Sequence, residues 1–216
     1  MSRPKHSELD GIFVTSDMHL GHANILPYCD RPWLRPGDYI WNPSEPGQRK
    51  RGHWVSKEIK AERAREMSDA LTENWNEVVR PDSTVYHIGD FCLSRWDGMG
   101  AWDWEQNLNG KVVHITGNHD RGNGIRGLKF AVLEVMGHSL FLVHRPVYRV
   151  EELPDFCNIV LCGHVHEAWK HKWVDDKLLL NVGVDVRGFR PWRLREAVLE
   201  AERLQSEART PRNTSC

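Results

Sequence analysis

The sequence has no surplus of either charge: 29 Lys+Arg stand against 30 Asp+Glu, which excludes a protein that holds nucleic acid chiefly through an overall basic surface. It has no apolar run of about 18 residues, so no membrane-spanning helix is expected. It has no CxxC pair. Its five cysteines, Cys29, Cys92, Cys157, Cys162 and Cys216, are odd in number and irregularly spaced, and the opening MSRPKHSELDG lacks the apolar stretch of a signal peptide. These absences point away from a disulfide scaffold and towards a reducing, cytoplasmic setting. Internal repeats and low-complexity tracts are absent as well.

What is abundant is histidine, 12 in 216 residues, together with 10 tryptophans. A chain of this length suits one domain with a substantial core, taken here as residues 1–209 with a long loop at about 31–54 and a flexible tail over 210–216. Short runs rich in Val, Ile and Leu, each bounded by Gly, Asn or Asp, predict strands at Gly11 to Ser16, Thr84 to Ile88, Lys111 to Thr116, Ala131 to Val135, Ser139 to Val143, Asn158 to Cys162 and Lys177 to Val182. Helices are predicted from Val55 to Val79, closed by Pro81, from Trp96 to Leu108, and from Arg195 to Ala208. The class is α/β, with two packed sheets flanked by helices. The stretch Arg31 to Gly52, with Pro32, Pro36, Pro43 and Pro46 and the run Arg49, Lys50, Arg51, reads as a long irregular loop.

Polar residues of one kind gather where the chain leaves predicted strands. Asp17 and His19 follow the first, Asp90 the second, Asn118, His119 and Asp120 the third, His144 a later one, and His164 and His166 the next. Ligands of α/β sheets collect beyond the carboxyl ends of strands, so these loops are expected to converge. In extended chain, the D-x-H and H-x-H pairs would send both side chains to one side. Singly, each residue is more often a turn former. Turn chemistry does not explain the four histidines His19, His144, His164 and His166, and a closed zinc site would favour cysteine.

With these residues in place, the chain resembles the calcineurin-like metallophosphoesterases. The resemblance lies in D-M-H at Asp17 to His19, G-D at Gly89 to Asp90, G-N-H-D at Gly117 to Asp120, H at His144 and G-H-V-H at Gly163 to His166, all in the family's order. N-V-G-V-D at Asn181 to Asp185 also looks like the terminal strand of small bacterial and phage members. The resemblance implies a four-layer sandwich of two mixed β-sheets flanked by helices. It implies that Asp17, His19 and His166 hold one divalent ion, that Asn118, His144 and His164 hold another, and that Asp90 bridges them. His119 would face the phosphate without binding metal. The G-D-x-V-D-R-G of protein phosphatases is replaced by Gly89, Asp90, Phe91, Cys92, Leu93, Ser94 and Arg95, which favours the branch acting on small substrates and phosphodiesters.

The expected chemistry is hydrolysis by water activated between two cations. His119 is the candidate proton donor to the leaving oxygen, with Asp120 either its orienting partner or a helix N-cap. His22, Asn24 and Arg145 are candidate substrate contacts, and Arg187 and Arg190 weaker ones. Trp33, Trp41, Trp54, Trp96, Trp102 and Trp104 are either core residues or surfaces on which a nucleobase stacks. Mixed nitrogen and oxygen donors suit Mn, Fe, Co, Ni or Zn, with Mn the choice for assay. The substrate reading is a phosphodiester, especially a 2′,3′-cyclic nucleotide or a nucleic-acid end. The alternatives are a phosphomonoester or nucleotide pyrophosphate substrate, and, in another class, a non-catalytic binding scaffold.

Overall fold

The apolar runs fold as two mixed sheets that face each other across a shared core. The computed structural model describes residues 9–43, 51–93 and 99–209. His6, Pro46, Arg49, Lys50, Ser94, Arg95, Trp96 and the expected flexible tail with Cys216 lie outside the described residues. In chain order the elements are β1 (Ile12–Thr15), α1 (Ile25–Tyr28), β2 (Tyr39–Trp41), β3 (Gly52–Trp54), α2 (Lys57–Val78), β4 (Thr84–Ile88), α3 (Ala101–Glu105) and β5 (Lys111–Ile115). They continue with β6 (Ala131–Val135), β7 (His138–Leu142), β8 (Ile159–Cys162), β9 (His171–Val174), β10 (Lys177–Asn181), β11 (Trp192–Arg193) and α4 (Leu194–Arg209).

One sheet has the order β11-β1-β4-β5, the other β6-β7-β8-β10-β9. In the first, β1, β4 and β5 run parallel and β11 antiparallel. In the second, β7, β8 and β10 run parallel while β6 and β9 pair antiparallel at the two edges. Strand alternation turns Val14, Ile88 and Ile115 inward against Leu140, Leu161 and Leu180, and α4 adds Leu194, Val198 and Ala201 to that core. The other face of the first sheet, with Phe13 and Val85, is covered by α2 through Met67, Leu71 and Trp75.

α2 begins where Ser56 Oγ accepts the Ile59 N–H at 3.1 Å, and it buries Ala64, Met67, Ser68, Leu71 and Trp75 along one face. It starts two residues later than the sequence predicts because Ser56 takes the extended backbone of an N-cap, with φ −152° and ψ 164°, and its side chain satisfies a first-turn N–H. The stretch read as irregular loop contains the antiparallel pair β2 and β3, which corrects that reading. Gly52 makes the pairing possible, since a Cβ there would lie 2.2 Å from the Ile40 carbonyl oxygen. His87 is fully buried, His114 Nε2 lies 2.9 Å from Glu105, and His138 Nε2 lies 3.0 Å from Glu202.

Candidate metal centre

Parallel pairing puts the carboxyl ends of β1, β4 and β5 side by side, and those of β7 and β8 likewise. Hydrogen bonds then stitch the loops beyond the two sheets together. The His164 N–H donates to both Asp17 carboxylate oxygens, at 3.1 and 2.9 Å, although the residues are 147 positions apart. His144 Nδ1 reaches the Ile88 carbonyl oxygen at 2.9 Å, and the Gly163 N–H reaches the His144 carbonyl at 3.0 Å.

Two groups of donors result. Ligand atoms of Asp17, His19 and His166 lie within 4.8 Å of one another, and so do those of Asp90, His144 and His164. Asp90 stands between them: its Oδ2 is 3.6 Å from His19 Nε2 and 3.3 Å from His144 Nε2. Asn118 Oδ1 joins the second group, 3.2 Å from His144 Nε2. A further cluster of Cys29, His166 and Asp185 shares His166, but both Asp185 oxygens are already engaged by Arg31 and His166.

The convergence is achieved by left-handed turns and not by extended alternation, which corrects the expected geometry of the D-x-H and H-x-H pairs. Asp17, His19, Asp90, His164 and His166 have φ of 58°, 53°, 57°, 71° and 46°. Non-glycine residues adopt this region seldom and at a cost, and they persist where surrounding contacts hold them. Glycines clear the space. A Cβ on Gly117 would lie 2.2 Å from Asp90 Oδ1, and one on Gly163 would lie 2.3 Å from Asp17 Oδ2.

The protonation chemistry fits cations. A carbonyl only accepts, so the proton of His144 sits on Nδ1 towards Ile88 and Nε2 is left for the centre. His166 Nδ1 lies 2.9 Å from Asp185 Oδ2, the arrangement that fixes a ligating imidazole in metal sites. Among the described residues His19 Nε2 is buried with no hydrogen-bond partner, an orphan that a cation would satisfy. Burial, reinforced by Arg31, holds His19 well below the ordinary imidazole value, and burial with His144 lowers His164 too. Burial pushes the Asp17 carboxyl up, against the pull of His144 and His166. Burial also works against the charge on His144, but the contact with Asp90 and the charge of Asp17 outweigh it and raise His144 to about 8. Imidazole nitrogen with carboxylate and amide oxygen is a donor set for divalent first-row ions, and the residues fit such a cation.

His119 is exposed on the rim, its ring 5.3 Å from that of His19, and its N–H donates to Asp90 Oδ1 at 2.9 Å. Asp120 neither caps a helix nor bonds the His119 ring among the described contacts. It is buried, and its oxygens accept the N–H groups of Asp90, Phe91 and Gly117 at 3.0, 3.0 and 2.7 Å. His22 Nδ1 lies 3.3 Å from His19 Nδ1, and burial followed by His119 brings its pKa to about 4. Asn24 precedes α1 without a side-chain cap and instead accepts from Trp54 Nε1 at 3.1 Å. Arg145 Nε lies 3.4 Å from Asn118 Oδ1, on the exposed side.

A cleft of about 340 Å³ opens over the centre, walled by Ile25, Tyr28, Cys29, Val165 and Glu167 beside the histidines. None of the described tryptophans lines it; the aromatic side chain there is Tyr28. Sequence reasoning also missed Arg31, read as loop, and Asp185, whose signal was present in the N-V-G-V-D run but went unassigned.

Residues 67–195 match the sequence model of the calcineurin-like phosphoesterase superfamily domain. An uncharacterized protein of Methanocaldococcus jannaschii is 31% identical over 185 residues, covering 83% of this chain and 85% of its own. The crystal structure of a protein of unknown function from Aquifex aeolicus shares the fold at a TM-score of 0.57 and 19% identity, over 88% of this chain and 98% of that one.

Proposed function

Because the chain belongs to the calcineurin-like phosphoesterase superfamily, we propose that it is a phosphoesterase dependent on two divalent cations, acting on phosphodiesters within one domain over residues 1–209 of a cytoplasmic protein. The observation that carries this reading is the position of Asp90 Oδ2 between His19 Nε2 and His144 Nε2, at 3.6 and 3.3 Å. Asp17, His19 and His166 would hold one ion, Asn118, His144 and His164 the other, with Asp90 shared. When bound, such ions supply Lewis-acid charge that activates water and neutralises phosphate oxygens.

The chain's own groups supply the rest. His119 is tethered by its N–H to the shared carboxylate but keeps its ring on the rim, where it delivers a proton to the departing oxygen. Arg145 stands beside Asn118 with its guanidinium exposed, placed to pair with a phosphate oxygen. The cleft wall of Ile25, Tyr28 and Val165 receives the organic part of the ester, for which a nucleoside is the proposed group. Asn118 would contribute a neutral oxygen, which would take less charge from a bound cation than another carboxylate would. A scaffold that had abandoned catalysis would tolerate losing donors, and here all seven proposed donors and His119 are present in the sequence.

The test is a substrate panel with Mn: bis-p-nitrophenyl phosphate, p-nitrophenyl phosphate, 2′,3′- and 3′,5′-cyclic nucleotides, a dinucleoside pyrophosphate and single-stranded RNA. Diesters are expected to turn over fastest, with no activity in excess chelator and recovery on adding Mn. Full turnover in chelator sinks the reading, and a monoester or pyrophosphate preference sinks its diester part.

A further inference from the structure

A charged network under the first donor group is not consumed by the proposed chemistry. Arg31 is 1% exposed and follows α1. Its Nε and Nη2 donate to Asp185 Oδ1 and Oδ2 at 2.7 and 2.9 Å, a two-pronged pair. The same guanidinium donates through Nη2 to the Asp17 carbonyl at 2.7 Å and through Nη1 to the Met18 carbonyl at 3.0 Å. Asp185 Oδ2 also meets His166 Nδ1 at 2.9 Å. One planar cation thus ties the backbone of the Asp17 to His19 turn to the imidazole of His166.

We propose that Arg31 and Asp185 are positioning residues that assemble the Asp17, His19 and His166 side of the centre and set its cation affinity separately from the Asp90, His144 and His164 side. The inference rests on the two-cation reading above. Its physical basis is twofold. Asp17 and His19 both hold left-handed backbone, and a turn of that kind leaves carbonyls inside the protein that need donors. Arg31 supplies them with the fixed fork that a lysine ammonium lacks. Asp185 in turn balances the guanidinium, so that the buried pair adds no net charge beside a cation. Removing that carboxylate leaves an uncompensated buried cation next to the first donor group and frees the His166 ring. Arg31 and Asp185 themselves make no described hydrogen bond to Asp90, His144 or His164; the second group is reached only through the turn, by the His19 N–H to the Asp90 carbonyl at 3.0 Å and the His164 N–H to the Asp17 carboxylate at 2.9 Å, so it is expected to change far less than the first.

The experiment titrates Mn into the full chain by calorimetry and records the Mn electron paramagnetic resonance signal, for wild type, Asp185→Asn, Arg31→Lys and, as a control for the other side, His164→Ala. Wild type is expected to bind two ions with the spin-coupled signal of neighbouring Mn. Asp185→Asn is expected to weaken one site about 10- to 100-fold, the range for partners behind metal ligands, to leave the other within about twofold of wild type, and to give the signal of isolated Mn at one equivalent. Arg31→Lys should weaken the same site and reports on the network if Asp185→Asn does not fold. Two sites at wild-type affinity in both variants overturn the inference while sparing the two-cation reading, and so does parallel weakening of both sites with a fall in melting temperature. Failure of wild type to bind two ions overturns both.

Discussion

At Gly163 an added Cβ would lie 2.3 Å from Asp17 Oδ2 and 2.3 Å from Ser16 Oγ, so this position controls where a buried carboxylate points. Gly163→Ala is expected to cost about tenfold or more in Mn affinity while the far-ultraviolet spectrum is retained. Mn affinity equal to wild type would show that the carboxylate has room to move. His119 gives a sharper prediction, because its ring lies on the rim. His119→Ala should keep both ions and lose about 100- to 10,000-fold in turnover of esters with alkoxide leaving groups. Esters of p-nitrophenol, whose anion leaves without a proton, should lose far less. An equal loss for both ester classes would remove the proton-donor role.

Between elements, Asp120 joins the loop after β4 to the loop after β5, its oxygens shared by three backbone N–H groups. Asp120→Asn replaces one acceptor oxygen with a donor facing N–H groups, which should cost about 2 kcal/mol or more in urea unfolding. An unchanged midpoint would contradict this structural role. The same residue marks the limit of what the sequence made legible. G-N-H-D announced a site residue at Asp120, but not that its carboxylate would be spent on backbone donors. Strands from Thr84 to Ile88 and Ala131 to Val135 were readable because burial on a sheet face stamps a pattern on the chain. β2 and β3 were not, because three-residue strands among prolines carry too little period, and α1 is a single turn. Convergence of the donors was legible from their position after strands. The left-handed backbone that achieves it was not, since Asp and His, although enriched at positive φ among non-glycine residues, adopt it at a small minority of positions, and Arg31 acts through contacts with residues up to 154 positions away.

For the whole molecule, cation binding, protonation and stability are linked. In the absence of cations His144 titrates at about 8, above the ordinary imidazole value of 6.5. A histidine raised on folding contributes stability that is complete below the lower value and lost as pH rises through the higher one. His166 is raised in the same direction: Asp185 and the charge of Asp17 outweigh a larger opposing effect of burial. This contribution favours the chelated protein at pH 6.5 over pH 8.5, while His19, His22 and His164, held low, act in the opposite direction, so the pH 6.5 advantage is expected to shrink in His144→Ala. Cations need neutral imidazole, so Mn binding should release protons near pH 7, strengthen towards pH 8 and raise the melting temperature more at the alkaline end. A calorimetric binding enthalpy independent of the ionisation heat of the buffer at pH 7 would count against this linkage.

The arrangement of the centre is tested most directly by an anomalous difference map from crystals of the full chain grown with Mn. The account predicts two peaks about 3.5 to 4 Å apart, one beside Asp17, His19 and His166, the other beside Asn118, His144 and His164, with Asp90 between them. A single peak, or peaks that leave Asp90 uncoordinated, would contradict it.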